Sequence, residues 1–159
     1  MRRKDREITN EEAIRSILDR AKILRLGLFD EGYPYVVPLH FGYEYEGGRL
    51  TLCMHCAKEG RKLDLIRRDP HVCVEMDCDA ELVSGGDVPC KYGSYFASVI
   101  GRGTAEIVED EAEKIKCLGL LMKNQTGREF TITGPMAEAV AVIRVDISEL
   151  TAKARVKAE

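Results

Sequence analysis

Between Leu50 and Lys62 the chain runs Leu50-Thr51-Leu52-Cys53-Met54-His55-Cys56, then Ala57-Lys58-Glu59, then Gly60-Arg61-Lys62. The pattern predicts an apolar strand, a short loop and the start of a helix. Such a junction suits an anion. The first N–H groups of a helix lack internal partners, and the helix dipole favours negative charge there. Gly60 allows a ligand close to the backbone, and Arg61 and Lys62 add two cationic donors, the arginine able to grip a phosphate with two bonds. A bound phosphate monoester is one reading; solvated first-turn cations are the other.

Cys53-Met54-His55-Cys56 contains a C-x-x-C, so zinc deserves a test. A structural zinc site needs four ligands, usually with a second close pair, and none exists here. In an extended strand Cys53 and Cys56 also point to opposite faces. No metal site is assigned. His55 ends the strand beside the anion-binding turn, where an imidazole can exchange a proton near neutral pH. Its alternative is a half-buried histidine bonded to a backbone carbonyl. Ser98, between Ala97 and Val99, suits either a bond to a phosphate or heterocycle or an ordinary strand contact. No G-x-S-x-G elbow surrounds it, and Gly101-Arg102-Gly103 lacks the context of a dinucleotide or P-loop motif.

These residues need elements to position them. Thr9-Asn10-Glu11-Glu12 predicts a capping box with Thr9 as the cap, and Ile14, Ile17, Leu18 and Ala21 continue at helical spacing. Leu24, Leu26 and Leu28 alternate in a strand from Ile23 to Phe29. A turn at Asp30-Glu31-Gly32 leads to a strand from Tyr35 to about Tyr45, and Glu46-Gly47-Gly48 turns into Arg49–Cys56. A helix over about 61–68 stops at Asp69-Pro70, followed by a strand from Val72 to Met76. Asp77 to Ser94 reads as a long functional loop. Tyr95–Val108 is a strand, Asp110–Lys123 a helix with Ile115, Leu118, Leu121 and Met122 inward, and Ala139–Val145 the closing strand. Residues 1–8 and 150–159 are expected to be flexible or to dock on a partner. The whole reads as one domain, mainly β with a few helices: an antiparallel, Greek-key-like barrel with helices at its ends.

Composition sets bounds. The 159 residues are 45% hydrophobic and 32% charged, as in an ordinary globular domain with a real core. The net charge of −3 argues against a nucleic-acid partner. No apolar run is long enough to span a bilayer and no signal-peptide core follows the N-terminus, so a cytoplasmic protein with six reduced cysteines is expected.

Several motifs recur in a familiar order: Pro34-Tyr35-Val36-Val37-Pro38-Leu39, Leu52–His55, Gly60-Arg61-Lys62, Asp69-Pro70, then Tyr95–Gly103 with Ala105-Glu106. Together they resemble the pyridoxamine 5′-phosphate oxidase-like flavoproteins, and most closely the nitroimidazole-resistance branch, which the opening Met1–Glu7 also resembles. The resemblance implies an FMN-binding split β-barrel, a homodimer with the flavin at the subunit interface and residues from each copy. Carried over, Arg61 and Lys62 would hold the FMN phosphate, Val36, Val37, Pro38 and Leu39 would lie along the isoalloxazine, Met54 and His55 would line it, and Ser98 would contact it.

The oxidase proper has a C-terminal Trp/Arg-Leu signature, whereas this chain has no tryptophan and continues Glu149-Leu150-Thr151-Ala152-Lys153-Ala154-Arg155. Pyridoxamine phosphate oxidation is therefore not carried over. The expectation is an FMN-dependent oxidoreductase acting on a small molecule, with nitroaromatic reduction suggested by the branch, His55 as proton donor or substrate contact, and NADH or NADPH as a candidate electron donor. The loop 77–94 would cover the flavin. A non-catalytic flavin or haem carrier, with His55 as axial ligand, is the alternative.

Overall fold

The computed structural model describes residues 3–156. Helix α1 (Glu11–Arg20) opens under the side chain of Asn10, which accepts a hydrogen bond from the Ala13 N–H at 2.9 Å. The cap is thus Asn10, one residue beyond the expected Thr9; asparagine's carbonyl caps as well as a hydroxyl does. Ile14, Ile17 and Leu18 bury one face of the helix.

Strands β2 (Ile23–Asp30) and β3 (Tyr33–His40) form a hairpin whose turn takes positive φ at Glu31 and Gly32. The strand expected from Tyr35 to Tyr45 is two strands, because Phe41 turns inward and is fully buried between β3 and β4 (Gly42–Glu46). Next come β5 (Arg49–Cys56), α2 (Arg61–Arg68), β6 (His71–Val83), β7 (Gly93–Val108), α3 (Glu111–Thr126), the short α4 (Gly134–Glu138) and β8 (Ala141–Arg155).

One expectation is corrected here. The loop placed over 77–94 is mostly a hairpin: β6 runs on to Val83 and β7 begins at Gly93, with a bulge between Cys78 and Glu81 shifting the register. Only 84–92 leaves the sheet, carrying a single 3-10 turn at Pro89–Lys91. Of the ends expected to be flexible or to dock on a partner, residues 3–8 and 150–156 are described, and 1–2 and 157–159 lie outside the described residues. Glu7–Ile8 forms β1 against Lys153 and Ala152, and 150–155 continues β8 along β7.

The sheet is antiparallel in the order β3-β2-β6-β7-β8-β5-β4, with β1 on β8. It curls without closing: β3 packs against β5 with no ladder between them. This is a split barrel. Alternate residues (Leu24, Leu26 and Leu28; Leu50, Leu52 and Met54; Val74 and Met76; Ile143 and Val145) fill the interior. Leu63, Leu65 and Ile66 bring α2 into the same core, each burial contributing roughly 1.5–3 kcal/mol. Helix α3 covers the opposite face of the β5 end, over Cys53, Val108 and Val142. In α3 the most buried residues are Lys114, Cys117 and Leu121, while Ile115, Leu118 and Met122 are half-buried.

Candidate functional site

Core packing of Leu63, Leu65 and Ile66 fixes where α2 begins. Gly60 precedes it at φ +145, a conformation that glycine adopts readily, and no side chain caps the first turn. A Cβ at Gly60 would meet no protein atom within 4 Å, so the space over the helix start is open. The first turn therefore presents backbone N–H groups outward.

Arg61 is aimed by two contacts. Its Nε donates to the Asp30 carboxylate at 2.7 Å, with Nη2 on the same oxygen, and its guanidinium lies 5.7 Å from the Tyr35 ring centre. Asp30 is also approached by Arg68 at 3.7 Å, and Arg68 bonds Glu31 at 3.1 Å. One carboxylate thus orients two arginines, leaving donors of the 65%-exposed Arg61 side chain facing solvent. Lys62 is half-buried, and its charge acts on Cys56, whose thiol is pushed up by burial and eased back by that ammonium. The cluster is a set of donors around an open helix start, which suits a compact anion.

Asp30 connects this cluster to a second feature. The outer face of β2, β3 and β6 is a concavity of about 1040 Å³ lined by Gly27, Phe29, Asp30, Tyr33, Val36 and Cys73, among others. It is largely apolar, and Phe29, Tyr33 and Val36 are 65%, 81% and 58% exposed. The uncapped start of α2 and the apolar face meet at Asp30.

The residues singled out from sequence divide by strand alternation. Along β3, Val36 and Pro38 face out, while Val37 and Leu39 pack against the core. Met54 lies fully inside the barrel, so only its neighbour His55 turns outward, exposed and with no hydrogen bond among the described residues. The carbonyl-bonded alternative for His55 is not what the structure contains. Ser98 is nearly buried on β7, paired with Asp77 and Lys153. Two strands separate β7 from β3, about 14 Å at ordinary strand spacing. One copy therefore does not bring Ser98 to the β3–α2 cluster.

Cys53 and Cys56 lie on opposite faces, Cys53 under α3 and Cys56 against the main core. Among the described residues no three His, Cys, Asp or Glu side chains gather as a metal site. Sequence reasoning missed Asp30 and Tyr35 as the groups that aim Arg61. The Asp30-Glu31-Gly32 turn signal marked only a reversal, and nothing local ties it to a helix start 31 residues away. The exposure of Phe29 and Tyr33 beside Val36 was missed because apolar residues in a hairpin do not show which sheet face lies uncovered.

Fold and site define an antiparallel split barrel with an uncapped, cation-flanked helix start beside an exposed apolar sheet face. The chain belongs to the pyridoxamine 5′-phosphate oxidase family, whose model matches residues 10–154. Among solved structures it is similar to a candidate 5-nitroimidazole antibiotic resistance protein from Bacteroides thetaiotaomicron, at 33% identity over 93% of this chain and 86% of that one, TM-score 0.78. It is also similar to the flavocytochrome Anf3 from Azotobacter vinelandii, at 25% identity over 99% and 72%, TM-score 0.76. An FAD and haem binding protein from Mycobacterium smegmatis shares the fold at 18% identity over 96% and 74%, TM-score 0.77. No curated protein matches. Among the described residues no helix is long and apolar enough to cross a membrane.

Proposed function

We propose that the chain is a flavoprotein that binds FMN and uses it as an oxidoreductase on a small molecule. The observation that carries this is the uncapped Gly60-Arg61-Lys62 helix start meeting an exposed apolar sheet face at Asp30. The donor set fits the dianionic phosphate of FMN, since the cluster offers a guanidinium, an ammonium and free N–H groups together. The exposed side of β3, with Val36 and Pro38, offers a flat apolar strip for the ring system, and Val37 and Leu39 stiffen it from the core side. Kinship with a 5-nitroimidazole resistance protein supports nitroaromatic compounds as the substrate class.

The same reading calls for a homodimer. Phe29, Tyr33 and Val36 need cover, and a second copy would bring its own Ser98 to a site that one copy cannot complete. Bound flavin supplies hydride or single-electron chemistry. The chain's own part is to hold the phosphate at Arg61 and Lys62, shield the ring with β3 and offer the exposed imidazole of His55 as a proton donor. Reduced nicotinamide dinucleotide is the proposed electron source. A cytoplasmic setting belongs to the same proposal, since it keeps the free cysteines reduced.

A second reading, a haem carrier with His55 as axial ligand, is favoured by the likeness to a flavocytochrome and by the free, exposed ring of His55. The absorption spectrum of purified protein, before and after adding FMN or haemin, separates the two. FMN binding gives perturbed flavin bands with quenched fluorescence. Haem binding gives a Soret band that His55→Ala abolishes. Neither signal, after both additions, ends both readings.

A further inference from the structure

We propose that Cys53 and Cys117 form a redox-active dithiol that closes to an intramolecular disulfide, stapling β5 to α3. The two Sγ atoms are 2.6 Å apart, across 64 positions of sequence. That separation is well inside ordinary non-bonded sulfur contact and close to the S–S bond length of about 2.05 Å. Both side chains are buried, so neither reaches a partner in another molecule, and the nearest oxidisable group for each is the other.

A small oxidant has a route. Both thiols line an open cavity of about 290 Å³ with Thr51, Lys116, Arg144 and the acids Glu44, Glu113 and Asp146. Large disulfides do not fit that volume; a hydroperoxide does. The pair is also polarised for attack. The Cys53 S–H donates to Cys117, and that bond, helped by Arg144 and Lys116 against burial and Glu113, holds the Cys117 thiol below the ordinary range. Cys53, the donor, is pushed up. Cys117 is then the nucleophile and Cys53 the resolving thiol.

With hydrogen peroxide as oxidant the step balances. The Cys117 thiolate attacks one peroxide oxygen, the O–O bond breaks, and a sulfenic acid forms as hydroxide leaves. The Cys53 sulfur attacks that sulfenic sulfur, the S–S bond forms and the S–O bond breaks. Two protons from the thiols end in two waters; the two sulfurs lose two electrons and the peroxide gains them.

The staple would have structural reach. Helix α3 packs on β4 and β5. Its Asn124 and Gln125 side-chain amides donate to the Phe41 carbonyl at 3.0 and 2.9 Å, at the joint between β3 and β4. Oxidation would thus lock the helix onto both the strand carrying Met54 and His55 and the end of β3.

The test uses the full chain with Cys73→Ser and Cys90→Ser, which removes the two exposed thiols. The protein is treated with hydrogen peroxide, unfolded under alkylating conditions, digested without reduction and mapped by mass spectrometry. The expected product is a linked peptide pair joining Cys53 to Cys117, lighter by two hydrogens and separated by dithiothreitol. Recovery of both peptides as alkylated free thiols, or as sulfinic acids, overturns the proposal. The unsubstituted protein, mapped in parallel, gives the same linkage if the proposal holds, and a Cys53 or Cys117 crosslink to any other cysteine also overturns it.

Discussion

Replacing Arg61 by alanine separates the phosphate contact from everything else the site does. A hydrogen bond to a charged group contributes about 1.5–3 kcal/mol. Two structural facts place Arg61 in the lower half of that range. Its side chain is 65% exposed, so solvent screens it, and Lys62 and the open N–H groups of α2 remain in the variant. Against this, Asp30 and Tyr35 already hold the guanidinium in place, so little side-chain entropy is lost on binding. A loss of about 1.5–2 kcal/mol weakens FMN by roughly 10- to 30-fold. Riboflavin, which lacks the phosphate, supplies the internal control, and its affinity should change by less than about twofold. Folding should be nearly untouched, by less than about 1 kcal/mol, because Arg68 remains within 3.7 Å of Asp30. Fluorescence titration of both ligands into both proteins gives the four constants. Unchanged FMN binding, or a loss of riboflavin affinity as large as that of FMN, rules out a phosphate contact at Arg61.

Three further outcomes are expected. His55→Ala should keep flavin affinity while turnover of a nitroaromatic with NADH or NADPH falls; unchanged turnover removes the exposed imidazole from the chemistry. Gly42→Ala should destabilise the fold by at least about 3 kcal/mol in a denaturant titration, because a Cβ there would overlap the α3 backbone at Leu120 and Leu121, which cannot yield as a side chain would. Asp79 is held below the usual carboxylate range by its bonds with Arg20, so the pair's stabilisation is complete above the unfolded value and is lost as pH falls through the lower folded one. The stability gap between Asp79→Asn and the unsubstituted protein should therefore be small but present near neutrality and vanish in strong acid; a gap that persists there contradicts the assignment.

What was legible in the sequence follows from which residues face water on one side only. Leu24, Leu26 and Leu28 alternate cleanly because β2 buries one face, and α2 announced itself through a glycine, two cations and a Pro70 stop. The β6–β7 hairpin beyond Met76 did not. Its outer residues are exposed on both faces, and the bulge at Cys78 to Glu81 breaks the period of two on which the reading depends. The final strand was hidden likewise: Glu149, Thr151 and Lys153 are polar because they lie on the outer face, while the core side is marked only by Leu150 and the small Ala152 and Ala154. At the site, Arg61 and Lys62 were readable from local chemistry. Asp30, Tyr35 and the Cys53–Cys117 contact depend on tertiary proximity that no local pattern encodes.

Flavin binding at this site turns on where the phosphate goes. A crystal structure of the protein loaded with FMN should place that phosphate over Gly60, within hydrogen-bond reach of the Arg61 guanidinium and the first N–H groups of α2, with the ring along β3. Clear density for the flavin elsewhere, with Gly60-Arg61-Lys62 facing only water, contradicts it.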